Sequence, residues 1–192
     1  MTPRIGILGG TFDPVHVGHL ILAACAREQL QADRILLIPN FCSPLKAAAP
    51  VAPFVDRLAM LRLAIDGVAG FVASDVEGRR GGISFTIDTL RDLSQEITGA
   101  RFHLVLGQDS VAEFTLWKDH AAILQMAEIA VVERTGAAAS TSMIPGTRIH
   151  MPRIDISSTM IRQAISEKRA IDYFVPTLVA RYIRDHHLYA NN

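Results

Sequence analysis

The sequence predicts an α/β fold: a doubly wound parallel sheet with helices on both faces, in a single domain spanning residues 1–192. Short apolar runs rich in Ile, Leu and Val alternate with helical patterns of about ten to fifteen residues, as in βαβ units. The first such run ends in Gly9-Gly10 and leads into a helical pattern, which reads as a buried strand feeding a tight turn. No repeat of fixed period and no linker divides the chain.

Ile5-Gly6-Ile7-Leu8 is the first strand, and Leu20 to Leu30 follows with helical spacing and good helix formers. Arg34 to Ile38 is the second strand, stopped by Pro39-Asn40. The prolines at 44, 50 and 53 make the stretch from Phe41 to Pro53 a loop. Phe54 to Ile65 resumes helical periodicity through Leu58, Leu61 and Ile65. Phe71-Val72-Ala73 is a short strand, Ser74 to Ser84 a polar, Gly-rich connection, and Thr86 to Glu96 an amphipathic helix. Phe102 to Leu106, closed by Gly107, then Ile129 to Val132 and Ile149 to Ile154 complete the strands; Ala137 to Gly146 reads as irregular. Thr159 to Ile165 and Pro176 to His186 are terminal helices, and the helical part from about residue 155 is expected to pack on the rest.

With right-handed crossovers the whole becomes a Rossmann-like sheet. Such sheets take ligands beyond the carboxyl ends of their strands. Gly9 to His19, Pro39 to Lys46, Ser74 to Thr86, Gly107 to Asp109 and the Arg134 region therefore share one rim.

Composition narrows the partners. The chain is 49% hydrophobic and 20% charged, an ordinary globular balance that excludes disorder and coiled coil. Nineteen basic and nineteen acidic side chains cancel. Proteins that bind long polyanions carry a positive excess, so no nucleic-acid partner is expected; small phosphates need only a local cluster. Cys25 and Cys42 fit neither a metal-ligand spacing nor a disulfide framework, and Cys25 lies in an apolar helical run, as a core thiol does. No secretory segment opens the chain, and no apolar stretch approaches the ~18 residues of a membrane span. A cytoplasmic protein without a membrane partner is expected, with a homo-oligomer left open.

The chemistry gathers in the first strand-turn-helix. Two glycines let backbone approach a ligand closely. Thr11 offers a hydroxyl and an amide, and helix onset near Val17 or Gly18 points unpaired N–H groups and a positive dipole end at whatever sits there, which suits phosphate. His16 and His19, three apart, share one face of the first turn. Two imidazoles there can donate to a phosphorus centre as charge builds on its oxygens, with the dipole lowering their pKa values and a bound triphosphate raising them. Taken singly, Gly-Gly is a turn and a histidine pair is incidental or a metal site. Their joint occurrence in eleven residues makes the phosphate reading.

Gly10-Thr11-Phe12-Asp13-Pro14-Val15-His16-Val17-Gly18-His19 resembles the signature of the nucleotidyltransferase superfamily that shares an HxGH motif. Ile156-Ser157-Ser158-Thr159-Met160-Ile161-Arg162, at the far end of the chain, resembles its second signature, ISSTxIR. Ser157-Ser158-Thr159 is a helix N-cap with spare hydroxyls and amides, and the Arg162 guanidinium, one turn on, suits the phosphates of a leaving pyrophosphate.

Within that superfamily the chain resembles the nicotinate-nucleotide adenylyltransferase family along nearly its whole length. The similarity runs through Ile38-Pro39-Asn40 with Ser43-Pro44 and Lys46, Asp75-Val76-Glu77 with Ser84-Phe85-Thr86 and Asp88-Thr89-Leu90, and Leu106-Gly107-Gln108-Asp109-Ser110 with Trp117. Val132-Glu133-Arg134-Thr135-Gly136, Tyr173 to Pro176, Tyr182-Ile183 and Leu188-Tyr189 continue it.

The resemblance implies adenylyl transfer from ATP to nicotinate mononucleotide, giving deamido-NAD and pyrophosphate. It implies His16, His19, Lys46 and Arg162 as catalytic groups, and an ATP site of Gly9, Gly10, Thr11, Phe12, His16, His19, Gly107, Asp109, Ser157, Ser158 and Arg162. Asn40, Lys46, Ser84, Phe85, Thr86, Asp109, Trp117 and Arg134 would take the mononucleotide. Here the Thr86 amide would hold the nicotinate carboxylate, Trp117 stack on the pyridine, Asp109 bind ribose hydroxyls, Lys46 neutralise the mononucleotide phosphate, and Arg134 lie near the nucleotide phosphates. Read without the family, Asp109 is a helix N-cap, Trp117 a helix residue covering core, and Lys46 and Arg134 solvated charges. Mg²⁺ is expected to arrive with ATP, held by phosphate oxygens and water rather than a protein cage. Two departures stand out: Leu45 replaces a family histidine beside Lys46, and Thr135 replaces a proline. Nicotinamide mononucleotide or phosphopantetheine as acceptor, and a non-catalytic nucleotide sensor, are the competing readings.

Overall fold

Six strands, all parallel, form a sheet in the order β3-β2-β1-β4-β5-β6. They are β1 (Arg4–Gly10), β2 (Arg34–Pro39), β3 (Phe71–Ala73), β4 (Arg101–Leu106), β5 (Ala127–Arg134) and β6 (Thr147–Met151). The helices are α1 (Val17–Gln29), α2 (Phe54–Ala64), α3 (Val76–Arg80), α4 (Thr86–Glu96), α5 (Gln108–Ala112), α6 (His120–Met126), α7 (Ser158–Ser166) and α8 (Thr177–Asp185). The computed structural model describes residues 2–44, 49–134 and 145–190, and of Arg134 only the backbone.

Because helices cover both faces, the central strands are apolar throughout rather than alternating. Ile35, Leu36, Leu37 and Ile38 are all buried, as are Leu104, Val105 and Leu106. Successive residues nonetheless serve opposite cores. Leu8, Ile35, Leu37, Val105, Ala130 and Val132 meet Ala23 and Ala26 of α1, Met60 and Leu61 of α2, Ile161 of α7 and Val179 of α8. Ile7, Leu36, Ile38, Leu106, Ile129 and Val131 meet Val76 of α3, Ile87, Leu90 and Leu93 of α4, Val111 of α5 and Ile123 of α6. The period-2 geometry of the strand divides one hydrophobic run between two cores.

The chain winds outward from β1 to β2 and β3, then returns to lay β4 on the other side of β1. That reversal opens a crevice at the carboxyl ends of β1 and β4, the ligand position of open α/β sheets. Gly9-Gly10 and Gly107 stand at its two lips.

Two of the stretches that differ from the sequence expectation have a local cause. The Ser74-to-Ser84 connection contains α3, whose Val76 and Glu77 are buried; five residues are too few to show a helical period. The last strand ends at Met151 rather than Ile154, because Pro152 has no N–H to continue the ladder. Of the stretch expected to be irregular, 137–144 lies outside the described residues. Among the described residues no helix is long and apolar enough to cross a membrane.

Leu90 is fully buried beneath α4. Leu90→Ala should lower unfolding free energy by about 2–5 kcal/mol through lost transfer energy and the cavity left behind, measured by urea denaturation.

Candidate functional site

The turn from β1 to α1 is built by close contacts. Phe12 has φ +50, uncommon for an aromatic residue, and its ring is buried under Gly10, where a Cβ would stand 3.1 Å from it. A Cβ at Gly9 or Gly107 would meet nothing within 4 Å, so the protein leaves the space before both glycines open. His16 precedes the first turn of α1 in extended conformation, and its backbone N–H donates to Nδ1 of His19 at 3.2 Å. A neutral imidazole accepting at Nδ1 carries its proton on Nε2, so His19 has a donor on its other nitrogen.

The two imidazoles stack, centroids 3.7 Å apart at 29°, and Phe12 meets His19 edge-on at 4.9 Å. Gly18 makes room: a Cβ there would lie 3.1 Å from the His16 ring. His16 is 7% exposed, and burial lowers its pKa to about 4, so it is neutral near pH 7. Its Nδ1 is buried with no hydrogen-bond partner among the described residues.

Beside the histidines, Asp13 joins the two ends of the chain. Its buried carboxylate accepts from Val51 N at 2.8 Å, Ala52 N at 3.1 Å and the Tyr189 hydroxyl at 2.7 Å. Its main-chain carbonyl accepts from Arg162 at 2.7 Å, and the Pro14 carbonyl accepts from the Ser158 hydroxyl at 2.9 Å. The hydroxyls at the start of α7 are therefore not spare, as the sequence suggested. Ser157 caps the helix by accepting from Met160 N, Ser158 holds the first motif, and Thr159 accepts from Arg162 at 3.2 Å. Arg162 is brought to the histidine turn with part of its guanidinium already bound.

A second buried group, Arg57, ties the carboxyl ends of β1 and β2. It is 1% exposed and donates to the carbonyls of Thr11 at 2.8 Å, Asn40 at 2.9 Å and Ala52 at 3.1 Å. Burial lowers its pKa, while Asp13, Tyr189 and Glu77 pull it back up. Asn40 thus serves the architecture through its carbonyl, with Oδ1 only 3.4 Å from the same guanidinium. Ser84 likewise holds the loop after β2: its hydroxyl accepts from Phe41 N at 2.8 Å and Cys42 N at 3.2 Å. Glu77 braces the same loop, accepting from Phe41 N at 3.3 Å and from the buried Thr89 hydroxyl at 2.7 Å.

The far lip holds the remaining expected groups. Thr86 is the first residue of α4, whose opening amides lack intrahelical partners. Gly107, not Asp109, is the N-cap of α5; Asp109 sits exposed in its first turn. Trp117 ends a 3-10 turn (Phe114–Leu116) rather than lying within a helix, half-buried beside the Phe114 ring, and its Nε1 has no partner among the described residues. Its neighbour Lys118 lies 4.5 Å over the Phe85 ring and 2.9 Å from Asp88, which fastens the Trp117 turn to the start of α4. That bond holds the Asp88 carboxyl below its usual range. Leu45, Lys46, Thr135 and the Arg134 side chain lie outside the described residues.

The structure therefore gathers Gly9, Gly10, Thr11, Phe12, His16, His19, Ser157, Ser158 and Arg162 on one side of the crevice. Gly107, Asp109, Phe85, Thr86 and Trp117 stand on the other, with Asn40 and Ser84 beneath. Sequence reasoning missed Asp13, Arg57 and Tyr189 as organising groups. Asp13 and Tyr189 lie inside quoted motifs, but Arg57 carried no signal beyond a charge within an apolar helix.

This arrangement is that of a nucleotide-transferring α/β protein, and the Cytidylyltransferase-like family model matches residues 7–164. A relative from Opitutus terrae, named probable nicotinate-nucleotide adenylyltransferase, is 41% identical over 192 residues, with 97% of each chain covered. One of the same name from Roseiflexus sp. is 43% identical over 194 residues, covering 96% of this chain and 97% of the relative. The chain belongs to the nicotinate-nucleotide adenylyltransferase family. The fold also matches the nicotinic acid mononucleotide adenylyltransferase of Plasmodium falciparum, solved with NaAD, at TM-score 0.79 and 21% identity, covering 99% of this chain and 98% of that one.

The buried His16 sets a pH dependence. Its folded pKa of about 4 lies below its ordinary 6.5, so between those values the unfolded chain binds the extra proton. Its contribution to stability is complete above pH 6.5 and is lost as pH falls through 4, amounting to about 3 kcal/mol. His16→Asn should flatten that part of the acid limb in urea unfolding at pH 7, 5.5 and 4. Equal slopes in both proteins would contradict it.

Proposed function

We propose that the protein transfers the adenylyl group of ATP to nicotinate mononucleotide, forming deamido-NAD and pyrophosphate. The observation that carries this is the docking of Arg162 and Ser158 on the Asp13 and Pro14 carbonyls, in the turn that leads into the stacked histidines beside the crevice at β1 and β4. A 5′-phosphate oxygen of the mononucleotide attacks the α-phosphorus in line. The new P–O bond forms as the bond to pyrophosphate breaks, and no enzyme nucleophile is required. Catalysis is then positioning and charge stabilisation.

In this reading His19 donates from Nε2 to the α-phosphate oxygens as charge develops, with His16 stacked beneath it. Arg162 faces the leaving pyrophosphate with the part of its guanidinium that Asp13 does not occupy. The open backbone at Gly9 and Gly107 admits the nucleotide, and Asp109 takes ribose hydroxyls. On the acceptor side the first amides of α4 at Thr86 take the ring carboxylate, Trp117 covers the pyridine, and Lys46 and Arg134 meet phosphate. Asn40 and Ser84 act by holding the loop that carries Lys46.

Mg²⁺ belongs to the same reading as a passenger on the triphosphate, where it would neutralise charge between two polyanions. The donors on this rim are amides, imidazoles and guanidinium, which bind anions and fit a metal delivered by phosphate. A cytoplasmic setting, where ATP is abundant, completes the proposal.

The test is pyrophosphate release with ATP and Mg²⁺ against nicotinate mononucleotide, nicotinamide mononucleotide, phosphopantetheine and nicotinamide riboside. Turnover with the first is expected, and none with the riboside, which lacks the attacking phosphate. ATP binding without pyrophosphate release from any of them would make the protein a sensor instead. His19→Ala should cut turnover by about 10²–10³ while the folded signal is kept; near-normal turnover would sink the assignment. Chelating Mg²⁺ should stop turnover yet leave the Tm of the nucleotide-free protein unchanged, and a fall in that Tm would point to a protein-held metal.

A further inference from the structure

The reading above gives Tyr189 no task, yet its hydroxyl is one of three donors to the Asp13 carboxylate. The side chain is 5% exposed, and the residue has φ +65, costly for an aromatic. Burial, then the neighbouring Asp13, holds its pKa far above the usual phenol range, so it keeps its proton and remains a donor. Asp13 Oδ1 receives both Tyr189 at 2.7 Å and Ala52 N at 3.1 Å, while Oδ2 receives Val51 N at 2.8 Å. Val51 and Ala52 end the segment that leaves β2 at Asn40 and bears Lys46; Arg57 grips both ends of it, at the Asn40 and Ala52 carbonyls. No other described side chain donates to that carboxylate within hydrogen-bond distance; Arg162 stands 3.9 Å away and uses the main-chain carbonyl instead.

We propose that Tyr189 is a positioning residue for the acceptor substrate: from the C-terminal end of the chain it orients the Asp13 carboxylate, which fixes Val51 and Ala52 beside the site. The inference rests on the reading that the loop they end meets the mononucleotide phosphate. It distinguishes two sides of the site. Arg162 is held by the Asp13 carbonyl and Thr159, so the ATP side does not depend on the phenol. Val51 and Ala52 are held by the carboxylate, so the acceptor side does.

Tyr189→Phe keeps the ring and removes only the donor. In the full-length variant the KM for nicotinate mononucleotide should rise about five- to tenfold, the scale of one buried hydrogen bond, while kcat and the KM for ATP stay within about twofold. Amide hydrogen exchange at Val51 and Ala52 should quicken about tenfold or more, with the central strands unchanged. Unchanged acceptor KM with unchanged exchange, or an equal rise in both KM values, would overturn the proposal. Asp13→Asn should move the same two readouts, and adding Tyr189→Phe to it should cost the acceptor KM little more. Independent, additive penalties would also overturn it. If Tyr189→Phe does not fold, Asp13→Asn decides by exchange at Val51 and Ala52 alone, because its carboxylate also stands 3.9 Å from Arg162. A wild-type protein that ignores nicotinate mononucleotide would remove the functional reading, and the exchange comparison would still decide whether Tyr189 fixes the loop.

Discussion

A carboxylate in the interior must be fully hydrogen-bonded, and satisfying that of Asp13 shapes the site around it. Its donors are two backbone amides, Val51 and Ala52, and the phenol of Tyr189. Leaving such a group short of a partner costs about 1–3 kcal/mol, a sizeable share of a protein's net stability. The arrangement that avoids this cost also closes the loop after β2, seats the C-terminus and sets the Asp13-Pro14 peptide where Arg162 and Ser158 dock. Arg57 solves the complementary problem. A buried guanidinium needs acceptors, and the carbonyls of Thr11, Asn40 and Ala52 supply them from three chain segments.

Much of this was legible in the sequence because its cause was local. The strands at 5–8, 34–38, 71–73 and 102–106 and the helix at 86–96 announced themselves through periodicity and flanking turn residues, and the structure keeps each of them within a few residues. The histidine pair was legible for the same reason: i,i+3 spacing at a helix start leaves the rings little choice but to meet. The tasks of Asn40, Ser84 and the Ser157-Ser158-Thr159 hydroxyls were not. Each is a short polar side chain or main-chain group whose partner lies far off in sequence, and residue type alone cannot tell a hydroxyl that binds ligand from one that binds Phe41 N or Pro14 O. Arg57 was illegible for a sharper reason. A long cation in an amphipathic helix normally faces water, and only the crossing of three loops above it makes burial affordable.

The charge balance also reads differently with the site in view. A neutral chain that handles two polyanions concentrates positive potential without an excess of cations. Of the cationic side chains described near the crevice, Arg57 is consumed by carbonyls, and Arg162 is partly consumed by the Asp13 carbonyl. What remains for phosphate is largely N–H: the opening turns of α4 and α7 and the Nε2–H that the His16 amide imposes on His19. Donors of this kind are fixed in direction and need little reorganisation as charge moves, which is the condition for stabilising a transition state in preference to a ground state. The lowered pKa of His16 belongs to the same economy: a neutral imidazole packs against its neighbour where an imidazolium would repel other cations.

The contacts that complete the site are among the longest in sequence between described residues. Ser158 reaches Pro14 across 144 residues, Arg162 reaches Asp13 across 149, and Tyr189 reaches Asp13 across 176. Contacts so distant form late, after the sheet has brought their elements together, because each closes a long loop at an entropic cost that earlier contacts must already have offset. The Gly9-to-His19 turn can therefore assume its local shape early, with its glycines, its capped helix and its stacked histidines, and still lack Arg162 and a fixed loop. Only when α7 and α8 dock on the first face of the sheet do the separate anion-binding features become one site. Placing the two motifs at opposite ends of the chain makes the finished fold a precondition for the chemistry.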